Sequence, residues 1–145
     1  MEKTEPSVSV LLPFRNTATT LDAAIASIVA QSFADWELLL IDNASMDESS
    51  AIASQWAVRD SRIHVTQEKT IGIAHALNTG LRMARSPLIA RMDADDISHP
   101  ERLAKQVEYM NAHPEIGVLG TRTTFKTIVE KSSGMRWFTE WQNAI

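Results

Sequence analysis

The chain has 145 residues, 44% of them hydrophobic and 22% charged, a composition typical of one globular domain and not of a disordered chain. Its net charge is −4 and it has no basic run, which argues against binding to nucleic acid or a lipid surface. It has no cysteine, so disulfides, zinc–thiolate sites and thiol catalysis are excluded. No apolar stretch approaches the ~20 residues needed to span a bilayer, and we expect a cytoplasmic protein.

Predicted strands and helices alternate through the first two thirds of the chain. Apolar runs at 8–12 and 36–41 predict buried strands, and 63–66 predicts a shorter third strand. Apolar residues at helical spacing predict a helix after each strand, the third over 71–85. Capping-box patterns predict that three of the helices begin at Thr19, Ser45 and Ser98.

Two further strands are predicted, a buried one over 88–93 and another over 116–125. This alternation predicts an α/β fold with three layers, in which helices flank a mainly parallel sheet. From residue 126 the pattern fails, and we predict a loop followed by a helix over 135–145 carrying Trp137, Phe138 and Trp141. The expected organisation is therefore a domain over 1–125 and a separate segment over 126–145.

The most informative stretch is an apolar run that ends in Asp93, Asp95 and Asp96. In a parallel sheet, ligands bind at the carboxyl ends of the strands. Asp93 and Asp95 point the same way if the extended conformation persists, and two carboxylates suit Mg²⁺ or Mn²⁺ with a substrate diphosphate. For Asp96 we favour a simpler interpretation, in which it leads into the next helix.

Asn16 and Asp42 each follow another predicted strand, so both are expected near this acidic segment. Position alone leaves two interpretations of Asp42 open, a turn residue or a ligand. Lys69 and His75 flank the start of the third helix, where the helix dipole favours an anion. An exposed lysine without a ligand is an equally good interpretation of Lys69.

Several other sites are excluded by spacing. The acidic segment has Ile97 and Ser98 where an EF-hand needs an acid or amide followed by glycine. No GxGxxG or Walker A motif is present, so a dinucleotide or P-loop nucleotide site lacks its phosphate cradle. The four histidines have no metal-ligand spacing.

Four motifs, in order along residues 7–125, resemble the family-2 glycosyltransferases with the GT-A fold. They are VSVLLPFRN at 8–16, WELLLIDNASMD at 36–47, GIAHALNTG at 72–80 and IARMDADDISHPERL at 89–103. The resemblance implies a Rossmann-like nucleotide-diphospho-sugar transferase domain that binds a nucleotide-sugar donor.

Site residues follow from the same resemblance. Pro13 and Asn16 would border the nucleobase, and Asp42 would accept a hydrogen bond from it. Asp93 would lie near the ribose and diphosphate, and Asp95, the second acid of the DxD motif, would bind the metal. Lys69 and His75 complete the expected nucleotide site.

The implied activity is inverting, metal-dependent sugar transfer, with a UDP- or dTDP-sugar as the favoured donor and a saccharide or lipid-linked acceptor. The resemblance implies a bacterial-type enzyme of surface-polysaccharide or glycolipid synthesis, cytoplasmic or peripheral at the inner membrane. It also implies a carboxylate base, which we expect beyond Ile145. Glu130 and Glu140 are candidates only by default. Segment 126–145 would then begin a truncated, acceptor-side part.

Two alternatives remain open from the sequence. One is a non-catalytic nucleotide- or sugar-binding module of the same fold. The other is a sugar nucleotidyltransferase, which normally carries a glycine-rich basic loop after its first strand. Arg15-Asn16-Thr17 is not such a loop.

Overall fold

The computed structural model describes residues 5–125 and 133–144. It divides the chain into two compact units, Met1–Ala112 and His113–Ile145, so the second unit begins earlier than the expected boundary after residue 125. The elements of the first unit are β1 (Val8–Phe14), α1 (Leu21–Val29), β2 (Trp36–Asp42), α2 (Ser49–Arg59), β3 (Ile63–Gln67), α3 (Ile73–Met83), β4 (Ile89–Arg91) and α4 (Arg102–Ala112).

The four strands form one parallel sheet in the order β3-β2-β1-β4. The carboxyl ends of all four strands therefore lie along the same edge. Every residue of β1 and β2 is buried, as their uninterrupted apolar runs predict for central strands of a parallel sheet. The predicted α/β architecture is confirmed.

The two faces of the sheet are covered unequally. Alternate residues of β1 and β2, including Val10, Leu12 and Leu38, belong to a large cluster that also contains buried residues of α1, α2 and α4. The intervening residues Leu11, Leu39 and Ile41 belong to a smaller cluster with Ala76, Leu77 and Ala84 of α3 or just after it. Strand periodicity thus divides one apolar run between two cores.

The strand before the acidic segment differs from its prediction. We expected a buried strand, but β4 has only three residues, lies at the edge of the sheet beside β1, and leaves Ile89 41% exposed. The apolar run has the composition of a central strand, yet within the described residues it has a neighbour on one side only.

The predicted cap of α1, Thr19, was wrong by one residue, because the N-cap is Thr20, whereas α2 and α4 begin several residues after the predicted caps Ser45 and Ser98. The structure shows no side-chain cap hydrogen bond at the starts of α1 and α2. The Ser45 hydroxyl accepts instead from the Asn16 N–H (3.2 Å), and the Ser98 hydroxyl accepts from Gln31 Nε2 (3.2 Å). These serines bond to segments distant in sequence, a competing use that capping patterns do not reveal.

In the second unit, residues 113–125 contain no helix or strand, so the strand predicted over 116–125 was wrong. The described residues supply it with no pairing partner, and Val118 is 89% exposed. The final helix is present as α5 (Ser133–Ala144), with Glu140 exposed on it. The side chains of Trp137, Phe138 and Trp141, and all of Glu130, lie outside the described residues.

Candidate functional site

Asn16, Asp42 and the acidic segment lie at or after the carboxyl ends of β1, β2 and β4, whereas Pro13 lies within β1. Phe14 ends β1 opposite Asp42, which ends β2, and the Asn43 N–H continues this pairing to the Phe14 carbonyl (2.8 Å). Arg91 ends β4 opposite Leu11, and the Met92 N–H donates to the Leu11 carbonyl (2.9 Å). One edge of the sheet therefore carries the loops that hold Asn16, Asp42 and the acidic segment.

The loops after β1 and β2 are tied together through Asn16. Its Oδ1 accepts from the Met46 N–H (2.7 Å), while its own N–H donates to the Ser45 hydroxyl (3.2 Å). Asn16 has φ 52°, in the left-handed region that asparagine tolerates better than most residues. Pro13 is buried inside β1 opposite Ile41. Asn16 is exposed at the edge but its side-chain oxygen already holds the neighbouring loop.

Asp42 is buried, with 3% of its surface exposed. Its Oδ1 accepts from the Ser45 N–H (2.9 Å), and its Oδ2 accepts from the Ser50 hydroxyl. Each carboxylate oxygen has a second lone pair, so neither bond prevents a further one. The two interpretations of Asp42, turn residue and ligand, are therefore compatible, because Asp42 braces the turn and can still accept a further hydrogen bond.

The neighbouring Asn43 is a functional candidate that the sequence argument missed. It is 5% exposed, and its Nδ2 donates to the carbonyls of Glu68 (3.0 Å) and Thr70 (2.8 Å) while its Oδ1 accepts from the Gly72 N–H (2.7 Å). One amide thus fixes residues 68–72, which we call the β3–α3 loop. An asparagine directly after a strand was a visible signal, but its partners are distant backbone groups.

The β3–α3 loop carries Lys69, which is exposed, and leads into α3. His75 is also exposed, in the first turn of that helix. Hydrogen bonds from Thr79 and from the Thr70 N–H lower the pKa of Glu68, which keeps a carboxylate beside Lys69. The structure thus brings Lys69 and His75 to the predicted edge of the sheet.

The extended conformation does not continue through the acidic segment. β4 ends at Arg91, a turn occupies Ala94 and Asp95, and the Asp96 N–H donates to the Asp93 carbonyl (3.2 Å). Asp93 and Asp95 therefore do not share a strand face, and the alternation argument fails for this pair. Asp93 is paired with Arg91, while Asp95 and Asp96 are exposed.

The electrostatics of this segment reflect its clustered acids. Desolvation raises the pKa of Asp96, and the charges of Asp95 and Asp93 raise it further. Arg102, at the start of α4, donates from Nη2 to the Arg91 carbonyl (2.8 Å) and from Nε to Gln106 Oε1 (3.0 Å). Desolvation lowers the pKa of Arg102, and the nearby charge of Asp96 opposes that effect. Arg102 is a second residue that sequence reasoning did not single out.

The donor chemistry of the segment suits a hard divalent cation. Within residues 5–125 and 133–144, no three His, Cys, Asp or Glu side chains are grouped tightly enough to hold a metal ion by themselves. Magnesium-type sites commonly use only one or two carboxylates, with waters and substrate phosphates completing the shell. Asp93 and Asp95 are oxygen ligands of the kind that such a site uses, and in this structure Asp93 is paired with Arg91.

Comparison with known proteins identifies this arrangement. The sequence model of glycosyl transferase family 2 matches residues 9–143. The chain belongs to glycosyltransferase family 2. This confirms the resemblance drawn from the four motifs, and with it the transferase class.

Proteins with similar sequences include EpsE of Bacillus subtilis, which is 44% identical over 118 residues, a match that covers 80% of this chain and 42% of EpsE. The Escherichia coli UDP-Glc:alpha-D-GlcNAc-diphosphoundecaprenol beta-1,3-glucosyltransferase WfgD is 38% identical over 104 residues, covering 71% of this chain and 40% of WfgD. The chain therefore spans less than half the length of these two relatives.

A solved structure supports the same fold. The mannosyltransferase PcManGT from Pyrobaculum calidifontis, in complex with GDP-Man and Mn²⁺, superposes with a TM-score of 0.68 at 28% identity over 74% of this chain and 33% of that chain. Structures similar to this chain are GT-A fold transferases, as the sequence predicted. None of the helices in the described ranges has the length and apolar character that a bilayer crossing requires.

Proposed function

We propose that this chain forms the donor-binding part of an inverting, metal-dependent glycosyltransferase. The donor is a UDP- or dTDP-sugar, and the acceptor is a saccharide or a lipid-linked sugar. One observation carries the proposal: the acids of a family-2 chain, Asp42, Asp93 and Asp95, follow strands whose carboxyl ends share one edge of the sheet. The donors of two similar proteins, UDP-Glc for WfgD and GDP-Man for PcManGT, support a nucleotide-sugar substrate.

Each residue has a distinct role in this proposal. Asp42 accepts the N3–H of uracil or thymine, a proton that cytosine lacks. Asn43 holds the β3–α3 loop beside the nucleotide, and Lys69 and His75 face its phosphates. Asp95 and Asp93 hold Mg²⁺ or Mn²⁺. A divalent cation bound there would neutralise the diphosphate as it leaves, in the role of a Lewis acid.

Binding of nucleoside diphosphates tests the proposal. We expect calorimetry to show that UDP and dTDP bind with Mn²⁺ and that Asp95→Asn loses the dependence on Mn²⁺. Glu108→Gln is the matched control, because it removes another exposed carboxylate, on α4. Both variants should have the melting temperature of the wild type, since exposed acids contribute little to stability. Unchanged metal-dependent binding in Asp95→Asn would refute the metal assignment.

A further inference from the structure

Arg91 holds the carboxylate that the proposed metal site needs. Its Nη2 lies 2.9 Å from Asp93 Oδ1 and 3.2 Å from Oδ2, and its Nε donates to Oδ1 at 3.0 Å. The guanidinium therefore covers both oxygens of Asp93. A cation on Asp93 would compete with the arginine side chain for these two oxygens.

The Arg91–Asp93 pair is built to separate easily. The side chains of Arg91 and Asp93 are 58% and 44% exposed, and ion pairs with that much contact with water are weak. The backbone of Arg91 is nevertheless fixed, because its carbonyl accepts from Arg102 and Arg102 is itself partly buried. The Arg91 side chain is free to move from a fixed Cα, whereas Arg102 is held.

The charges around the pair favour such an exchange. The segment has three carboxylates within four positions, at Asp93, Asp95 and Asp96. Two nearby arginines, Arg91 and Arg102, partly balance their negative charge. A divalent cation at Asp93 and Asp95 would replace Arg91 there by stronger coordination. The released guanidinium would then lie at the edge of the sheet where the phosphates of a nucleotide are expected, and its planar donors match phosphate oxygens.

We propose that Arg91 is a placeholder cation that becomes a diphosphate-binding residue. Without metal it neutralises Asp93; when metal occupies Asp93, the guanidinium is released and binds the diphosphate. This inference rests on the proposed nucleotide-sugar site. It makes the binding of metal and nucleotide mutually favourable, because each ligand uses the same displaced side chain.

The test compares Arg91→Gln with Arg59→Gln, which removes the same charge from an exposed position on α2. Mn²⁺ binding without nucleotide is measured by electron paramagnetic resonance. We expect Arg91→Gln to bind Mn²⁺ about fivefold more tightly than wild type, as for removal of one charge a few ångströms away in water. Arg59→Gln should bind it as wild type does.

The second measurement is calorimetry of UDP with and without Mn²⁺. Arg91→Gln should bind UDP roughly tenfold more weakly with Mn²⁺, because one charge-assisted contact is lost. The factor by which Mn²⁺ strengthens UDP binding should fall accordingly. Arg91→Lys, which keeps the charge without the planar fork, should lie between Arg91→Gln and wild type in both assays.

Failure of this inference and failure of the proposed function give different results. If Mn²⁺ affinity in Arg91→Gln equals that of wild type, or if neither protein binds Mn²⁺, Arg91 is not a placeholder. If UDP affinity with Mn²⁺ is unchanged, Arg91 does not bind the diphosphate. If wild type binds no nucleoside diphosphate, the proposed function is wrong, and the inference fails with it.

Discussion

At the scale of single residues, Asp42 braces the turn after β2 and is proposed to bind the base, and Asp42→Asn separates these two roles. Asp42→Asn keeps an oxygen for the Ser45 N–H, and its amide can donate to the Ser50 hydroxyl, so we expect little loss of stability. The variant has no charged oxygen to accept the N3–H of uracil. The binding free energy of UDP should therefore weaken by roughly 1.5–3 kcal/mol, while that of CDP barely changes. Calorimetry with both nucleotides measures the difference.

Asp47 provides the control for Asp42. Its oxygens accept from the Ser49 N–H (3.0 Å) and the Ala18 N–H (3.1 Å), so it also braces loops at this edge of the sheet. Asp47→Asn should leave the preference for UDP over CDP intact. If Asp42→Asn binds both nucleotides as wild type does, Asp42 is a turn residue alone.

Asn43 holds the β3–α3 loop, which belongs to the proposed nucleotide site. Asn43→Ala removes three hydrogen bonds from a buried amide, and we expect the free energy of unfolding to fall by about 2–3 kcal/mol. Hydrogen exchange should accelerate in residues 68–72 more than in β1. Asn78→Ala is the control, because Asn78 is an exposed amide on α3. Slow exchange of the loop in Asn43→Ala would show that other contacts hold it.

At the scale of elements, an ion pair between the buried Glu37 and the exposed Arg85 anchors the connection between α3 and β4. Glu37 of β2 is 1% exposed and accepts from Arg85 Nε (2.7 Å), the Arg85 N–H (2.8 Å) and the Ser9 hydroxyl (2.6 Å). Burial alone would raise the pKa of Glu37, but the hydrogen bonds from Ser9 and Arg85 bring it below its ordinary value. Ser9 accepts in turn from the Ser86 N–H (3.1 Å).

This arrangement predicts a pH dependence of stability. Because folding lowers the pKa of Glu37, its contribution is fully present above the ordinary glutamate value of about 4.3 and is lost as pH falls through the lower folded value. Glu37→Gln should therefore lose about 1–3 kcal/mol at pH 7, and the difference from wild type should shrink below pH 4. Melting temperatures from pH 3 to 7 measure it.

The exposed pair Glu101–Lys105 (2.7 Å) supplies the comparison for Glu37. Glu101→Gln should have the wild-type melting temperature at every pH, because the side chains of both Glu101 and Lys105 are mostly exposed to water. A constant difference between Glu37→Gln and wild type across the range would mean that ionisation of Glu37 does not stabilise the fold.

The sequence predicted those elements and residues whose surroundings leave a local pattern, and missed those whose partners are distant in sequence. The central strands β1 and β2 were predictable because burial on both faces leaves uninterrupted apolar runs. The exposure of β4 depends on what lies beside it, which the apolar run does not encode. Asp42 and Asp95 were predictable as acids after strands, whereas Asn43 and Arg102 bond to backbone groups far away in sequence. The local sequence does not indicate such distant partners.

At the scale of the whole molecule, donor binding and sugar transfer make unequal demands. The strand ends proposed for donor binding are all present, but transfer also needs a base close to the acceptor hydroxyl and a surface for that acceptor. Positioning of this kind supplies ~7–11 kcal/mol of the barrier reduction. The chain spans 42% of the length of EpsE, so we predict that these 145 residues bind nucleotide with metal but transfer no sugar.

Incubation with radiolabelled sugar nucleotides and a broad acceptor panel tests this expectation. Slow hydrolysis of the donor is compatible with it. Turnover at ordinary enzyme rates would contradict it, and Glu130 and Glu140 would then be the first carboxylates to replace.

The two faces of the sheet are covered by different numbers of helices, and this difference affects which helix can open locally. Within residues 5–112 the smaller core of Leu11, Leu39 and Ile41 is closed by α3, whereas three helices contribute to the larger core. Local opening free energies follow the apolar contacts that an opening breaks. Detachment of helix α3 would therefore open the smaller core and leave the larger core in place. Since the β3–α3 loop is continuous with that helix, nucleotide binding would slow amide exchange in α3 well beyond the residues that touch the ligand.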